Sequence, residues 1–295
     1  MPANVESAMQ RLLQLGGSRA HARFASVAGA PLHYLEEGSG PVVVLLHGGT
    51  GGGANWFRLL AGLSERFRVL APDLPGFGLS PRRPARAPLG LAAAALLEEW
   101  LRGLQVQQAV VAGTSFGGLA ALRLAQRAPD VVGRLFLLDA AGFDRELSLL
   151  VRLGALPVIG SVWSRPTRYG TTRTFRLLLT RNGASIPPAM QQALIDYLYL
   201  TAAAAGTTYL RDTLRAFAGL SGQREYLSQA ELRALAQPAT IALGEHDPFF
   251  SVTAARAAAR TLPHAELRVI AGVGHSPNWE APDVVRSAIL ELANR

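Results

Sequence analysis

The sequence predicts an α/β protein with a mostly parallel central sheet, flanking helices and a helical insertion after the sixth strand. From about residue 24 to 142, short apolar runs alternate with helical stretches, which is typical of strand–helix–strand units. The alternation stops from about residue 143 to 237 and then resumes. With 295 residues, 49% hydrophobic and 17% charged, the chain can bury the core that such a sheet requires.

The first part of the predicted sheet can be followed run by run. An Arg-containing amphipathic helix over the first twenty residues precedes a hairpin of RFASVAG and PLHYLEEG, which are separated at 29–31. Four apolar runs of buried-strand length follow: PVVVLLHGG (41–49), FRVLAPD (67–73), AVVAGTS (109–115) and RLFLLDA (134–140). Between them, LGLAAAALLEEWLRGL and FGGLAALRLAQRA have helical composition and period.

The insertion is predicted to be a helical cap or lid, because it is rich in helix formers and aromatics and contains no convincing strand. The sheet resumes with PATIALGEHD, a helix with Ser251 as its N-cap, the strand AELRVIAG and a final helix from about Asp283 to Asn294. The predicted organisation is therefore an N-terminal extension at 1–23, a core at 24–143 and 238–295, and a cap at 144–237.

Composition excludes several kinds of chemistry. There is no cysteine, which excludes disulfides, Cys-ligated zinc, iron–sulfur clusters and a thiol nucleophile. All 29 basic residues are Arg, so a Schiff-base or P-loop lysine is impossible. The net charge of +8 comes without a basic block with interleaved aromatics, so we expect no nucleic-acid partner. Without a long apolar run or a secretory signal, we expect a cytoplasmic protein with no stable membrane insertion.

A nucleophilic serine is predicted at Ser115. The pentapeptide GTSFG at 113–117 fits the pattern G-x-S-x-G directly after an apolar strand and before a helix. Such a serine sits on a strained turn, where glycines two residues away on either side remove Cβ atoms that would collide. The helix beginning at Phe116 directs its free N–H groups toward the place where an oxyanion would form, which makes the Phe116 N–H a predicted oxyanion donor.

Two further strand ends carry polar turns. HGG at 47–49 ends an earlier strand and is followed by the glycine-rich TGGG, so the Gly49 N–H is the second predicted oxyanion donor. We interpret His47 as a structural residue that organises this loop rather than as a base. Asp73 begins the turn DLPGFG and is expected to hydrogen-bond loop backbone.

A serine requires a base and an orienting acid downstream. His275, in GVGH, follows the last predicted strand, and Asp247, in GEHD, follows the strand before it. Their separation of 28 positions is just enough for a loop, a helix and a returning strand. Asp139 is the alternative acid, at the end of the strand before the insertion. Asp247 is favoured because its loop is polar and rich in turn residues, whereas Asp139 ends an apolar strand.

Together, GTSFGG, HGG, DLPGFGLS, GEHDPFF and GVGHSPNWE resemble the α/β-hydrolase fold superfamily over about residues 24–294. The resemblance implies that Ser115 is the nucleophile, His275 the base and Asp247 the acid. It also implies that Gly49 and Phe116 form the oxyanion hole and that neither a metal nor an organic cofactor is required. Dehalogenases and epoxide hydrolases of the superfamily carry Asp at the position of Ser115, so this sequence departs from both.

Within the superfamily, HGGTGGGANW, GTSFGG and LLDAAGF are similar to segments of esterases and monoacylglycerol-lipase-like enzymes. This similarity implies a small-molecule ester substrate with an apolar, medium-chain or aromatic acyl group. Carbon–carbon hydrolases of aromatic ring-cleavage products share the long glycine loop, but often have Asn where this chain has Thr114. Acyltransferases and perhydrolases with the same triad, and a non-catalytic ligand receptor on the same fold, stay open as alternatives.

The cap is expected to cover Ser115 with an apolar pocket lined by Trp163, Phe143 and Phe249, together with Phe175 and the cap tyrosines. Between residues 147 and 195 the cap holds no acidic residue and six arginines: Arg152, Arg165, Arg168, Arg173, Arg176 and Arg181. Arginine can grip a substrate carboxylate, which would favour a carbon–carbon hydrolase. The alternative is a solvated or lipid-facing helix surface. The sequence does not predict the oligomeric state.

Overall fold

The computed structural model describes residues 3–84, 88–181 and 185–295. Positions 1–2 of the predicted extension, 85–87 of the predicted core and 182–184 of the predicted cap lie outside the described residues. The strands are β1 (His21–Val27), β2 (Ala30–Glu37), β3 (Val42–Leu46), β4 (Arg68–Pro72), β5 (Ala109–Thr114), β6 (Val132–Leu138), β7 (Ala218–Gly219), β8 (Gly222–Gln223), β9 (Ala239–Gly244) and β10 (Ala265–Ile270).

Eight of these strands form one sheet in the order β1-β2-β4-β3-β5-β6-β9-β10. β1 pairs with β2, and β2 with β4, in antiparallel register. The remaining pairs are parallel. The predicted fold class and the leading hairpin are therefore confirmed. Because parallel strands point the same way, the loops after β3, β5, β9 and β10 all emerge at one edge of the sheet, where the predicted site residues lie.

The described helices are α1 (Val5–Leu15), α2 (Phe57–Ser64), α3 (Leu89–Gly103), α4 (Phe116–Arg127), α5 (Leu149–Gly154), α6 (Pro157–Trp163), α7 (Arg168–Thr174), α8 (Pro188–Ala205), α9 (Thr207–Phe217), α10 (Gln229–Arg233), α11 (Val252–Thr261), α12 (Pro277–Glu280) and α13 (Pro282–Ala293). A 3₁₀ turn spans Gly53–Trp56 and a π-helical turn spans Phe175–Leu179. Ser251 caps α11 as predicted, because its side chain accepts a hydrogen bond from the Ala254 N–H at 3.1 Å.

Helices cover both faces of the sheet. All six residues of β5 are buried, as expected of a central parallel strand. Val111 packs into the layer that contains α3, α4 and α11, whereas Val110 and Ala112 pack into the opposite layer with α1, α2 and α13. Alternate side chains of a strand point to opposite faces, so the apolar run of β5 serves two cores at once.

The chain leaves the sheet after β6 and returns at β9, and the segment between them is largely helical. It contains α5 to α10 and also the short hairpin of β7 and β8, which the sequence did not predict because two-residue strands carry no readable alternation. α1 packs on α8 through an apolar stripe, and residues such as Met9 and Leu12 share a buried cluster with Leu194 and Leu198. Within the described ranges, every helix is too short or too polar to traverse a lipid bilayer.

Candidate active site

Ser115 occupies a tight turn between β5 and α4. Its backbone φ of 53° lies in the left-handed region, where a non-glycine residue is strained. A Cβ on Gly113 would lie 2.2 Å from the Gly117 carbonyl oxygen, and one on Gly117 would lie 2.4 Å from the Leu46 carbonyl oxygen. Only glycine fits at these two positions, which is the physical reason for the G-x-S-x-G spacing. The turn places the Ser115 side chain at the carboxyl end of β5.

His275 and Asp247 meet on the loops after β10 and β9. The His275 Nδ1 lies 2.8 Å from the Asp247 Oδ2, and the Asp247 side chain is fully buried. The other carboxylate oxygen, Oδ1, accepts hydrogen bonds from the backbone N–H groups of Phe249 at 2.7 Å and Phe250 at 3.3 Å. These donors fix the plane of the carboxylate and leave its second oxygen directed at the imidazole.

Ser115 and His275 line the same cavity. The hydrogen bonds of the described residues join His275 to Asp247, and none of them joins the Ser115 hydroxyl to the imidazole. Hydrogen bonds between a nucleophile and its base are often long or misaligned before substrate binds. The fold thus brings the three predicted residues to one site and forms the acid–imidazole hydrogen bond within it.

The glycine loop after β3 lies against Ser115. A Cβ on Gly48 would lie 3.1 Å from the Ser115 Cβ and 3.8 Å from its Oγ, whereas one on Gly49 would meet nothing within 4 Å. In the part of the chain that the structure describes, the amide N–H groups of Gly49 and Phe116 donate to no protein acceptor. Unengaged amides beside a nucleophilic hydroxyl are suited to stabilising an oxyanion.

His47 links two loops and lies outside the cavity lining. It is fully buried, its Nε2 accepts from the Leu74 N–H at 2.9 Å, and its Nδ1 lies 2.7 Å from the Gly48 carbonyl oxygen. Burial lowers the pKa of His47 below its ordinary value of 6.5. A neutral imidazole with a proton on Nδ1 satisfies both contacts, so His47 organises the glycine loop, as the sequence suggested.

Asp73 fastens the same loop from the turn after β4. It is fully buried, and its Oδ1 accepts from the Gly53 N–H at 2.6 Å while its Oδ2 accepts from the Leu79 N–H at 2.8 Å. The His33 Nδ1 lies 2.6 Å from the same Oδ2. These contacts agree with the expectation that Asp73 bonds loop backbone, and they add His33 as a partner from β2.

The histidine loop is tied to the glycine loop by contacts that the sequence analysis missed. The Trp279 Nε1 and the Asn278 Nδ2 both donate to the Asn55 carbonyl oxygen, at 2.8 Å and 3.1 Å. The Asn55 side-chain amide in turn donates to the Thr50 carbonyl oxygen at 2.8 Å. The residues belong to the recognised segments HGGTGGGANW and GVGHSPNWE, but their pairing spans 223 positions, which no local pattern reveals.

A cavity of about 250 Å³ lies between the strand edge and the cap. Ser115, His275 and the glycine loop form its floor. Its apolar lining from the core comprises Phe77, Leu89, Phe116, Phe249, Phe250 and Trp279. Its apolar lining from the cap segment comprises Leu147, Val151, Trp163, Leu178, Leu179, Leu210, Leu214 and Phe217. The structure therefore places the expected residues Trp163 and Phe249 at the cavity.

The other expected pocket aromatics lie elsewhere. The chain turns at Gly142, with a φ of 99°, and Phe143 lines a separate small pocket beside Ala254 and Ala255 of α11. Phe175 is buried and stacks on Trp279, with ring centroids 6.0 Å apart. Among the described lining residues there is no tyrosine. The cap wall is therefore mainly aliphatic, with Trp163 and Phe217 as its aromatic members.

The cap arginines also lie away from the cavity, because no arginine is among its described lining residues. Arg168 forms an ion pair with Asp196, and its guanidinium lies 5.0 Å from the centre of the Tyr199 ring. Arg165 and Arg176 are exposed to solvent. The hypothesis that these arginines grip a substrate carboxylate receives no support from their positions.

Asp139 lies buried behind Asp247. Its Oδ1 accepts from the Gly244 N–H at 2.8 Å, while its Oδ2 has no hydrogen-bond partner among the described residues. Burial and the negative charge of Asp247 raise the pKa of Asp139 well above its ordinary value. Asp139, Asp247 and His275 offer donor atoms within 4.8 Å of one another, as a metal ion would need. The His275 Nδ1 and the Asp247 Oδ2, however, already bond to each other.

The sheet order, the turn at Ser115 and the covering helices indicate a known architecture, and a profile described as alpha/beta hydrolase fold matches residues 41–282. The chain belongs to the α/β-hydrolase fold family. This α/β-hydrolase is 33% identical over 262 residues to the magnesium-chelatase 30 kDa subunit of Rhodobacter capsulatus, covering 85% of this chain and 86% of that protein. Over 272 residues it is 25% identical to the 2-hydroxy-6-oxo-6-phenylhexa-2,4-dienoate hydrolase of Burkholderia cepacia, covering 89% and 91%.

The structure of this α/β-hydrolase is also similar to that of the carboxylesterase CesB from Bacillus subtilis. The TM-score is 0.78 over 98% of this chain and 96% of that one, at 21% sequence identity. At that identity the likeness shows the fold alone. Together with the family match, these comparisons support a hydrolase and leave its substrate to be argued from the site.

Proposed function

We propose that the protein is a serine hydrolase that cleaves carboxylic esters of apolar acyl groups through an acyl-enzyme intermediate. The observation that carries the proposal is the placement of Ser115, on a strained turn, in a cavity shared with His275, whose imidazole is held by Asp247. A serine hydroxyl is a weak nucleophile unless a base removes its proton, and an imidazole oriented by a carboxylate is such a base.

In the first step, the Ser115 Oγ attacks the ester carbonyl while the His275 Nε2 removes the hydroxyl proton. Asp247 accepts a hydrogen bond from the Nδ1–H of His275 and stabilises the positive charge that the imidazole ring acquires. The Gly49 and Phe116 amides donate to the tetrahedral oxyanion. His275 then returns the proton to the leaving alcohol, and the acyl group stays on Ser115.

In the second step, a water molecule takes the place of the alcohol. His275 removes a proton from the water as its oxygen attacks the acyl carbonyl, and the same amides stabilise the second oxyanion. Collapse of this intermediate releases the carboxylic acid and returns the proton to Ser115. Both half-reactions therefore use one base, one acid and one oxyanion hole.

The cavity wall supports an apolar acyl group. Among its described lining residues there is no Asp, Glu or Arg, and the cap side is mainly aliphatic. A charged substrate group buried there would lose its hydration without gaining a partner. A cavity of about 250 Å³ suits a medium-chain or small aromatic acyl group.

A carbon–carbon hydrolase acting on aromatic ring-cleavage products is the second candidate, because the B. cepacia relative is a dienoate hydrolase. Such a substrate carries a carboxylate. The absence of arginine from the described lining, and Thr114 in place of Asn before the serine, count against this candidate. Ester turnover without dienoate turnover is the expected result.

The test combines a fluorophosphonate probe with a series of p-nitrophenyl esters of increasing chain length. We expect the protein to be labelled and to hydrolyse the esters, and Ser115→Ala to lose labelling and at least about 10³-fold in kcat. Ser161→Ala, a cap serine whose hydroxyl bonds the Pro157 carbonyl oxygen, is the matched control and should react normally. An unlabelled and inactive parent protein would exclude the serine hydrolase, and full activity in Ser115→Ala would exclude the assigned nucleophile.

A further inference from the structure

Two buried carboxyl groups lie side by side at the base of the site, and only one of them has an assigned role. Asp139 and Asp247 face each other from the ends of β6 and β9, with carboxyl oxygens within 4.8 Å. Asp139 is fully buried, and its Oδ2 has no partner among the described residues. A buried carboxyl oxygen without a donor gains a hydrogen bond to a neighbouring carboxyl when one of the pair holds a proton.

The donors decide which carboxyl holds that proton. Asp247 accepts from the backbone N–H groups of Phe249 and Phe250 and bonds the His275 imidazole. Asp139 accepts from the Gly244 N–H alone. Hydrogen bonds to the ionised form favour ionisation, so the negative charge belongs on Asp247 and the proton on Asp139.

We propose that Asp139 is a positioning residue that acts as a neutral carboxylic acid, donating a hydrogen bond from its Oδ2 to the Asp247 carboxylate. This inference rests on the proposed function, because it assigns Asp139 a role toward the acid of the same triad. The raised pKa of Asp139 agrees with it. The backbone adds a second link, since the Ser115 N–H donates to the Asp139 carbonyl oxygen at 3.1 Å.

A neutral partner suits this position for a chemical reason. The hydrogen bond restrains Asp247 as the charge on His275 changes during each half-reaction. It adds no second negative charge that would hold the proton on the imidazole and slow its transfer to the leaving alcohol. The titratable groups that face Asp139 are Asp247 and His275 on the two site loops and Glu280 on α12.

Kinetics of two variants test the role. Asn fits the left-handed backbone of Asp139, whose φ is 43°, and it offers both an N–H donor and an acceptor. We expect Asp139→Asn to stay within about fivefold of the parent kcat/KM, with the acid limb of the pH profile unmoved. Asp139→Ala removes the donor, so its kcat should fall about 10- to 100-fold with less than a twofold change in KM.

An ionised Asp139 would give a different result. Removing an anion beside the imidazole would shift the acid limb of Asp139→Asn by about one pH unit, because a nearby anion stabilises the protonated base. That shift would overturn the proposal. A loss in Asp139→Asn larger than the loss in Asp247→Asn would also overturn it, since Asp139 would then be the catalytic acid.

An equilibrium measurement tests the proton without relying on activity. If the folded protein holds a proton on Asp139 that the unfolded chain releases above about pH 4, folding binds one extra proton. The unfolding constant of the parent, divided by that of Asp139→Asn, should then rise about tenfold per pH unit between pH 5 and 6. Denaturant titrations at several pH values measure this ratio.

Asp130→Asn is the matched control, because Asp130 is an exposed acid paired with Arg102 on the surface. Its ratio to the parent should stay constant over the same pH range. A constant ratio for Asp139→Asn would overturn the proposal even if the protein hydrolyses esters. A rising ratio in a protein that hydrolyses no ester would uphold the proton on Asp139 while excluding the proposed function.

Discussion

The core of this α/β-hydrolase is more deeply buried than the cap helices α6, α7 and α9. In the core, every residue of β5 is buried and α4 is buried along most of its length. In the cap, α7 and α9 contain no buried residue, and Val158 and Val162 of α6 are 77% and 73% exposed. The proposed catalytic residues lie in the first region, and much of the cavity lining comes from the second.

Given the proposed function, this difference separates the residues that would catalyse the reaction from those that would select the substrate. Ser115, Asp247 and His275 are positioned by strand ends whose packing cannot shift without disturbing both cores. The cap residues at the cavity, such as Trp163 and Leu214, are supported by few buried neighbours. Changes in the cap should therefore alter which substrate fits, whereas changes in the core should alter whether the protein folds.

The largest expected effect is a loss of stability on replacing Glu225, which follows β8 where the chain returns to the core. Glu225 is almost fully buried, accepts from the Gly90 and Leu91 N–H groups at the start of α3, and pairs with the buried Arg123 of α4. Glu225→Ala leaves the Gly90 and Leu91 N–H groups without an acceptor and leaves Arg123 with Glu231 as its remaining carboxylate, so it should lower the free energy of unfolding by about 2–4 kcal/mol. Denaturant titration measures the loss. A loss below about 1 kcal/mol would show that this junction is as tolerant as the cap.

Given the proposed function, the next largest effect is on the preference for ester chain length, which the cap residues at the cavity should determine. Trp163 lines the cavity and is 36% exposed. Trp163→Ala should lower kcat/KM for a medium-chain p-nitrophenyl ester about tenfold, and for the acetate less than threefold, because only the longer chain reaches this side chain. The Tm should change little. Equal losses of kcat/KM for both esters would show that Trp163 supports the structure of the site and does not contact the acyl chain.

A third effect concerns the pH dependence of core stability. Burial lowers the pKa of His47, so below about pH 6.5 the unfolded chain binds a proton that the folded protein excludes. Stability contributed by neutral His47 is therefore complete above that pH and is lost as the pH falls. Relative to His47→Gln, the protein should lose about 1 kcal/mol between pH 6.5 and 5.5. A pH-independent difference in unfolding free energy would contradict this.

The smallest effect is expected on the outer cap surface. Val162 is exposed on α6 and Arg176 is exposed on the π-helical turn. Replacing them together, as Val162→Ser with Arg176→Gln, should change the free energy of unfolding by less than about 0.5 kcal/mol. A loss above about 1 kcal/mol would contradict this prediction, because it would show that these two side chains make stabilising contacts in solution.

The sheet and the largely helical segment between β6 and β9 were predictable because they depend on order along the chain. Strand ends of a parallel sheet meet at one edge, so Ser115, Asp247 and His275 could be assigned to one site from their positions after apolar runs. The interpretation of His47 as a residue that organises the glycine loop agrees with its buried contacts to Gly48 and Leu74. The family match and the sheet order bear out the fold.

Other features depended on the direction of side chains, which spacing does not specify. Phe143 follows β6 closely in sequence, yet the turn at Gly142 carries it away from the cavity. From the sequence, Asp139 and Asp247 are alternatives for one role, the acid that orients the imidazole. In the structure their carboxyl groups lie close together. Burial and local donors determine how such neighbours divide a proton, and both arise only when distant strands assemble.

The packing of α1 on α8 connects the start of the chain to the glycine loop beside the cavity. Met9 and Leu12 share a cluster with Leu194 and Leu198, and Tyr197 of the same helix reaches the glycine loop beside Gly52. Trimming the amino end should therefore loosen the helix that contacts the glycine loop, although the two segments are far apart in sequence. A shortened version of this enzyme should be judged by its selectivity as well as by its yield.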